Sequence, residues 1–309
     1  MKNRITELFH IRYPIALGGM AGVTDAKLAA AVSEAGGLGT IAGATESAES
    51  LATEVRRLRD MTKLPFAVNI PLMAPQAKEL IQVVIDSRVP VVITAAGSPA
   101  LFTAGLKQAG IRVVHVIPCV DAAKKAEGAG VDAVIAEGFE SGGFASPFEI
   151  GTLALIPQVV DAVQIPVLAA GGIVDARGYA ACRLLGAEGV SVGTAFLATV
   201  ECTKIGPAWR EQILSGRDVS TKILARGITP IRMLTNQWTD KLEKLISAGV
   251  TKKDIMSFIF SGDPMSGEEG PFACGQGVGL IRRIRTVKEV IDDFVTGSEE
   301  LLKRMAARG

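Results

Sequence analysis

One pattern recurs along the chain. A short, almost continuously apolar run rich in β-branched residues ends in glycine or another small residue, and a segment with helical spacing follows. The runs are YPIALGG (13–19), LGTIAG (38–43), PFAVNIP (65–71), PVVITAAG (90–97), IRVVHVIP (111–118), VDAVIAEG (131–138), IPVLAAGG (165–172) and EGVSVGT (188–194). Apolar throughout rather than alternating, they read as strands covered on both faces, as in a parallel sheet. Between them, segments such as TDAKLAAAVSEAGG and SLATEVRRLRDMTK carry helical spacing, and several end in glycine, at 35–37, 109–110, 129–130 and 185–187.

Eight such βα units, spaced by about 25 residues, predict an α/β chain folded as a (β/α)8 TIM barrel. The alternative is an open doubly wound sheet. No long excursion marks the reversal of strand order that it needs, so the barrel is preferred. After the eighth strand the rhythm breaks. GPAWREQILSG, MLTNQWTDKLEKLISAG and TKKDIMSFIFSG read as helices, and GDPMSGEEGPFACGQGVG (262–279) as a glycine-rich loop. The expected division is a barrel over 1–202 and 273–309, with a small helical cap or lid over 203–272. TVKEVIDDFVTGSEELLKRM is the expected closing barrel helix. The apolar stretch IMSFIF (255–260) lines either a substrate channel or a contact in a homodimer; both readings stay open.

Composition narrows the chemistry. Of 309 residues, 48% are hydrophobic and only 5% aromatic, which fits a core of Val, Ile, Leu and Ala. Thirty-three basic residues against thirty-two acidic ones leave no signal for nucleic acid or a membrane surface. No apolar run approaches the ~18 residues that span a bilayer. MKNRITELFHIRYP lacks the apolar stretch of a signal peptide, so a cytoplasmic protein is expected. Cys119, Cys182, Cys202 and Cys274 share no CxxC spacing and read as reduced, mostly buried thiols. With only His10 and His115 present, no metal site is expected.

In a barrel the chemistry lies at the C-terminal strand ends. This chain places there Gly18, Gly19 and Met20 (strand 1), Gly43 (2), Asn69 (3), Thr94 to Gly97 (4), Pro118 and Cys119 (5), Glu137 and a glycine loop (6), Ala170, Gly171 and Gly172 (7), and Gly193 and Thr194 (8). No lysine stands among them, which argues against Schiff-base chemistry. One carboxylate is too few for a hard-metal site or a glycosidase pair. Backbone, small residues and an amide suit a flat ligand that brings its own reactivity. AAGGIVDARG and GTAFLATVE each put glycine before a helix start, where an anion such as a phosphate is favoured. Asn69 either meets the edge of a heteroaromatic ring or caps the next helix.

PIALGGMAGVTDAKLAAAVSEAGGLGTIAG, FAVNI, DAVIAEGFESGG, IPVLAAGGI and GVSVGTAF, in that order, resemble one FMN-dependent (β/α)8-barrel group. It contains nitronate monooxygenases (2-nitropropane dioxygenases), enoyl-acyl-carrier-protein reductase II and an NADH:quinone reductase. The resemblance is dense over residues 5–200 and returns at ACGQGVGLI (273–281). It implies FMN, with its phosphate on Gly171, Gly172, Gly193 and Thr194 beside Ala170. The ring is then expected near Gly18, Gly19, Met20 and Asn69, with Glu137, Gly142 and Gly143 close to the ribityl side or the ring. Gln276 and Gly277 are expected to close the site. In this group the loop commonly reads GGH, and the histidine is the proposed acid or base. Here the position is Phe144, so the catalytic residue is left unassigned. Neither His10, before strand 1, nor His115, mid-strand, replaces it.

The implied activity is an FMN-dependent oxidoreductase that oxidises a nitronate or a reduced nicotinamide, NADH or NADPH. Alternatives are an NAD(P)H-dependent enoyl-thioester reductase, a quinone reductase, and a flavin-binding protein without turnover. The enoyl-thioester reading brings an acyl-carrier protein as partner. RRIR (282–285) is then its basic rim, or else a solvated helix start. Phe144 is either the wall of a site whose substrate needs no base or a stacking surface for a flat acceptor.

Overall fold

The computed structural model describes residues 2–262, 265 and 269–307. Part of the glycine-rich stretch expected over 262–279 therefore lies outside the described residues. Eight strands form one parallel sheet: Ile15–Leu17, Gly39–Ala42, Phe66–Pro71, Val91–Ala95, Arg112–Ile117, Ala133–Glu137, Val167–Ala170 and Gly189–Val192. The first and eighth pair with Ile15 opposite Val190. The first and second are joined by a bridge between Ala16 and Leu38, by Leu38 N–H to the Ile15 carbonyl (2.8 Å) and by Leu17 N–H to the Leu38 carbonyl (2.9 Å). The sheet thus closes into the (β/α)8 barrel that the eight apolar runs predict.

The two-residue period of a strand decides which side chains reach the mouth. Ala16, Ala67, Ile93, Val114, Ile135 and Leu168 pack together inside the barrel. Leu17, Val68, Val92, Val113, Val134 and Val190 pack outward among the helices. Continuing the inward phase brings Asn69, Glu137 and Ala170 to the C-terminal ends of the third, sixth and seventh strands. Ser191, between the outward Val190 and Val192, shares that face.

The helix Arg4–Phe9, which the sequence reading did not expect, adds Ile5 and Phe9 to the interior cluster. It sits ahead of the first strand and so fills the barrel end opposite the mouth. At the other terminus Val287–Asp292, a wider turn at Asp293–Gly297 and Ser298–Ala306 run as the closing barrel helix. They pack against the helices Ala176–Leu184 and Ala26–Glu34. A Cβ at Gly297 would come within 2.8 Å of the Ala176 Cβ, so this contact is close.

The cap holds the helices Pro207–Leu214, Gln237–Ser247 and Lys252–Ser261, and also a hairpin of Thr221–Leu224 and Ile231–Leu234. The stretch beginning MLTN reads as a helix in sequence, but its first residues finish the second hairpin strand. Asn236 then caps the helix, its side chain accepting from Thr239 N–H (3.0 Å). Leu224, Ile231, Met233, Trp238, Leu242, Ile255 and Ile259 form a small apolar cluster of the cap, and Trp238 stacks on Phe258 at 4.6 Å. IMSFIF is therefore two-faced, with Ile255 and Ile259 inside this cluster and Phe260 exposed. The hairpin takes a third strand from the barrel, Gly143–Phe144, which pairs with Ile231 and Arg232. No helix among the described residues is long and apolar enough to cross a membrane.

Candidate active site

Asn69 is 8% exposed, and its amide N–H donates to the Ile93 carbonyl of the next strand (3.2 Å). It does not cap a helix: the following one begins at Ala77, with Gln76 at its cap position. Its side chain lies against Gly19, where a Cβ would stand 2.5–2.7 Å from the Asn69 Cβ, Cγ and Oδ1. The first and third strand ends therefore meet through a glycine and an amide. Gly18 N–H donates to the Val192 carbonyl (2.9 Å), and the Met20 sulfur lies 3.3 Å from where a Cβ on Gly193 would be, which joins the eighth strand end to them.

Glu137 ends the sixth strand opposite Ala170. Among the described residues no lysine or arginine pairs with it. Burial pushes its carboxyl up to about 7, and the Ser141 hydroxyl beside it acts in the opposite direction. That hydroxyl is itself buried and forms no aligned hydrogen bond. The mouth thus holds a carboxyl pushed up to about 7 beside a buried hydroxyl, with no cation among the described residues paired to it.

The loops above these strand ends converge on one another. Gln276 N–H donates to the Glu140 carbonyl (2.9 Å), and Gly275 N–H to the Thr194 hydroxyl (2.9 Å). A Cβ on Gly142 would meet the Cys274 backbone at 2.6–2.8 Å, and one on Gly277 the Gly172 carbonyl at 3.0 Å. Gly142 thus makes room for the backbone of the C-terminal return. Gly143 is different: its φ is +81° and no protein atom lies within 4 Å of its Cβ position, so it faces open space.

The anion expectation needs one correction. The helix after the seventh strand begins only at Ala176, and the Asp175 carboxylate already accepts from Arg177 N–H (2.9 Å) and Gly178 N–H (3.3 Å). Its end is taken. What remains is the turn itself, Gly171 and Gly172 with φ of +101° and +71°. Among the described residues the N–H groups of Gly171, Gly172, Gly193 and Thr194 meet no protein acceptor. Free backbone donors in successive turns form an anion-binding concavity.

Neither histidine is in the mouth. His10 lies at the opposite end, closing the first helix. His115 shares the outward phase of Val113 and Ile117. It contacts the Thr94 hydroxyl at 2.7 Å, and burial holds its pKa down to about 4. Phe144, 43% exposed, sits on the rim with Phe260 of the cap 6.1 Å away. Burial pushes the Cys182 and Cys274 thiols up to about 12 and that of Cys202 to about 11, so none is a ready thiolate. Among the described residues no cluster of His, Cys, Asp or Glu is suited to a metal.

Sequence reasoning missed several members of the site. Ser141 gives no signal apart from its burial. Glu140 caps the helix Thr152–Ala162 from a distance of twelve residues, accepting from Thr152 N–H at 2.9 and 3.0 Å. Arg232 lies in the hairpin strand Ile231–Leu234, whose pairing with Gly143–Phe144 no local pattern encodes; Phe260 belongs to IMSFIF, for which a substrate channel is one of the two readings above. RRIR is also partly internal: Arg285 pairs with Asp293 (3.3 Å), and Arg282 donates to the Gly216 carbonyl (3.1 Å).

Comparison with known proteins follows the same lines. The family described as nitronate monooxygenase matches residues 2–81 and 75–297. A probable nitronate monooxygenase of Staphylococcus saprophyticus is 35% identical over 291 residues, covering 79% of this chain and 81% of that protein. The solved structure of FabK from Thermotoga maritima shares 37% identity with a TM-score of 0.95, both chains covered in full. The nitroalkane oxidase of Streptomyces ansochromogenes shares 27% identity with a TM-score of 0.82, over 98% of this chain and 100% of that one.

Proposed function

The chain belongs to the nitronate monooxygenase family, and we propose that it is a cytoplasmic FMN-dependent oxidoreductase that takes electrons from an already anionic nitronate or from a reduced nicotinamide. The mouth suits FMN. Free N–H groups at Gly171, Gly172, Gly193 and Thr194 would hold the phosphate, Asn69 with Gly18, Gly19 and Met20 the ring, and Gly143 and Gln276 the open side. FMN bound there supplies acceptance of hydride or electrons. The protein's part is to hold the ring edge, exclude water with the loops over Cys274 to Gly277, and keep a proton available on Glu137.

The observation that carries the choice of donor is Phe144. A phenyl ring on the rim, facing another at Phe260, takes no proton from carbon. Positioned proton transfer contributes roughly 10²–10⁴-fold in rate. A donor that gives hydride, or arrives as an anion, does without it. Protein incubated with FMN and desalted is expected to keep one flavin per chain. Colourless protein that leaves FMN fluorescence unquenched would sink the cofactor assignment.

The second reading, enoyl-thioester reduction with NAD(P)H, is favoured by the full-length likeness to FabK. It needs a proton beside the carbon that takes hydride, and Glu137 or water would have to give it. Crotonyl-thioester turnover with nicotinamide oxidation would select this reading, and its absence would leave the first.

The phosphate assignment makes its own prediction. Asp175→Ala is expected to cost about 1 kcal/mol of stability through loss of the cap, with FMN affinity unchanged, as measured by thermal unfolding and fluorescence titration. A gain in affinity would instead place the phosphate on the freed helix end.

A further inference from the structure

We infer that Arg232 is a positioning residue through which the cap fixes the mouth loop 139–144 over the barrel end. Arg232 is 3% exposed and stands opposite Gly143 in the hairpin pairing. Its guanidinium donates to the Phe139 carbonyl from Nε (3.3 Å) and Nη2 (3.0 Å), and to the Thr221 hydroxyl from Nη1 (3.2 Å). It also lies 5.4 Å from the centre of the Phe139 ring. Among the described residues no carboxylate forms an ion pair with it.

A buried cation whose hydrogen bonds go only to neutral oxygens, with the Glu140 and Glu149 carboxylates attracting it from farther off, is expensive, and an apolar side chain of similar volume would fill the space at lower cost. What methionine lacks is the rigid fork that sends two N–H groups to one carbonyl. That carbonyl belongs to the second residue after Glu137, where the chain leaves the barrel. From the barrel side the loop is tied by Phe139 N–H to the Ile150 carbonyl (2.9 Å) and by the Glu140 carboxylate to Thr152 N–H. A last local tie, Ser141 N–H to the Gly138 carbonyl (3.1 Å), ends this series. Beyond it, Gly142 to Phe144 take their placement from the Cys274 contact and from the strand Ile231–Leu234 that Arg232 anchors. The inference borrows from the flavin reading only what is being positioned, namely Ser141 beside Glu137 and Phe144 on the rim.

The test compares Arg232→Met, Arg232→Lys and Thr221→Val. Amide hydrogen exchange is read on the protein without added flavin, followed by steady-state kinetics of the FMN-loaded protein. Arg232→Met is expected to speed exchange across 139–144 about tenfold, the scale of a lost charged hydrogen bond, with Ala133–Glu137 unchanged. Arg232→Lys, which reaches Phe139 with one donor, should recover part of this, and Thr221→Val, which leaves both bonds to the Phe139 carbonyl in place, should speed exchange less than Arg232→Met does. The KM for the electron donor should rise more than kcat falls. Unchanged loop exchange in Arg232→Met would overturn the inference. So would an equal rise in the barrel strands of both arginine variants, which would mean packing alone. Because exchange is read without flavin, a failure of the FMN reading and a failure of this one are separate results.

Discussion

Alanine at Gly142 is expected to weaken FMN retention and to slow flavin reduction about 100-fold while shifting the melting temperature by no more than about 5 °C. The added Cβ would stand 2.6–2.8 Å from the N, Cα and C atoms of Cys274. Those are backbone atoms, so no side-chain rotation relieves the clash. Either the loop after the sixth strand or the C-terminal return must move by about an ångström. The return carries Gly275, bonded to the Thr194 hydroxyl, and Gln276, bonded to the Glu140 carbonyl. Displacing it therefore disturbs the eighth-strand turn and the mouth loop together. The barrel strands beneath keep their contacts, which is why stability should change little. FMN fluorescence titration and thermal unfolding on the same variant separate the two effects. Wild-type affinity in Gly142→Ala would mean that this close approach does not shape the site.

The second large effect concerns pH. Burial holds the Glu137 carboxyl at about 7 in the folded protein, against an ordinary value of 4.5. Between those values the folded state keeps a proton that the unfolded chain has released. The resulting stability is fully present below about pH 4.5, fades as pH rises through about 7, and stays lost above it. The upper bound on the change is about 3 kcal/mol. Glu137→Gln remains neutral throughout. It should match the wild type near pH 4.5 and exceed it at pH 8 by up to that amount, in denaturant titrations at the two pH values. The pH profile of electron transfer should also lose its inflection near 7. Parallel stability curves for the two proteins would show that Glu137 ionises normally.

Much of the barrel was legible because its signal is local and repeated. Eight β-branched runs each end in a small residue, and each maps onto a strand of the closed sheet. The inward positions of Asn69 and Glu137 follow from the two-residue period once the strands are placed. The hairpin Thr221–Leu224 and Ile231–Leu234 was hidden because IRML runs directly into a strongly helical segment, with only Thr235 and Asn236 to separate them. The partnership of Gly142 with Cys274 spans more than a hundred residues, and glycine looks the same whether it admits a ligand or another backbone. Asp175 was read as part of a helix start that offers donors. In fact an aspartate there consumes them, which moves the free N–H groups back to Gly171 and Gly172. Ser141 and Arg232 owe their roles to burial by distant elements, which no spacing in the sequence expresses.

The central claim is that this mouth passes electrons to FMN with no proton-removing residue at the rim position that Phe144 occupies, Glu137 serving only to hold a proton. The most direct test is anaerobic stopped-flow absorbance at the flavin band of the FMN-loaded protein. NADH, NADPH, propyl-2-nitronate and neutral 2-nitropropane are mixed in separately. Rapid bleaching by a nicotinamide or by the nitronate, with the neutral nitroalkane inert, is the predicted result. Bleaching by neutral 2-nitropropane as fast as by its anion would reveal a working base in the mouth and contradict the account.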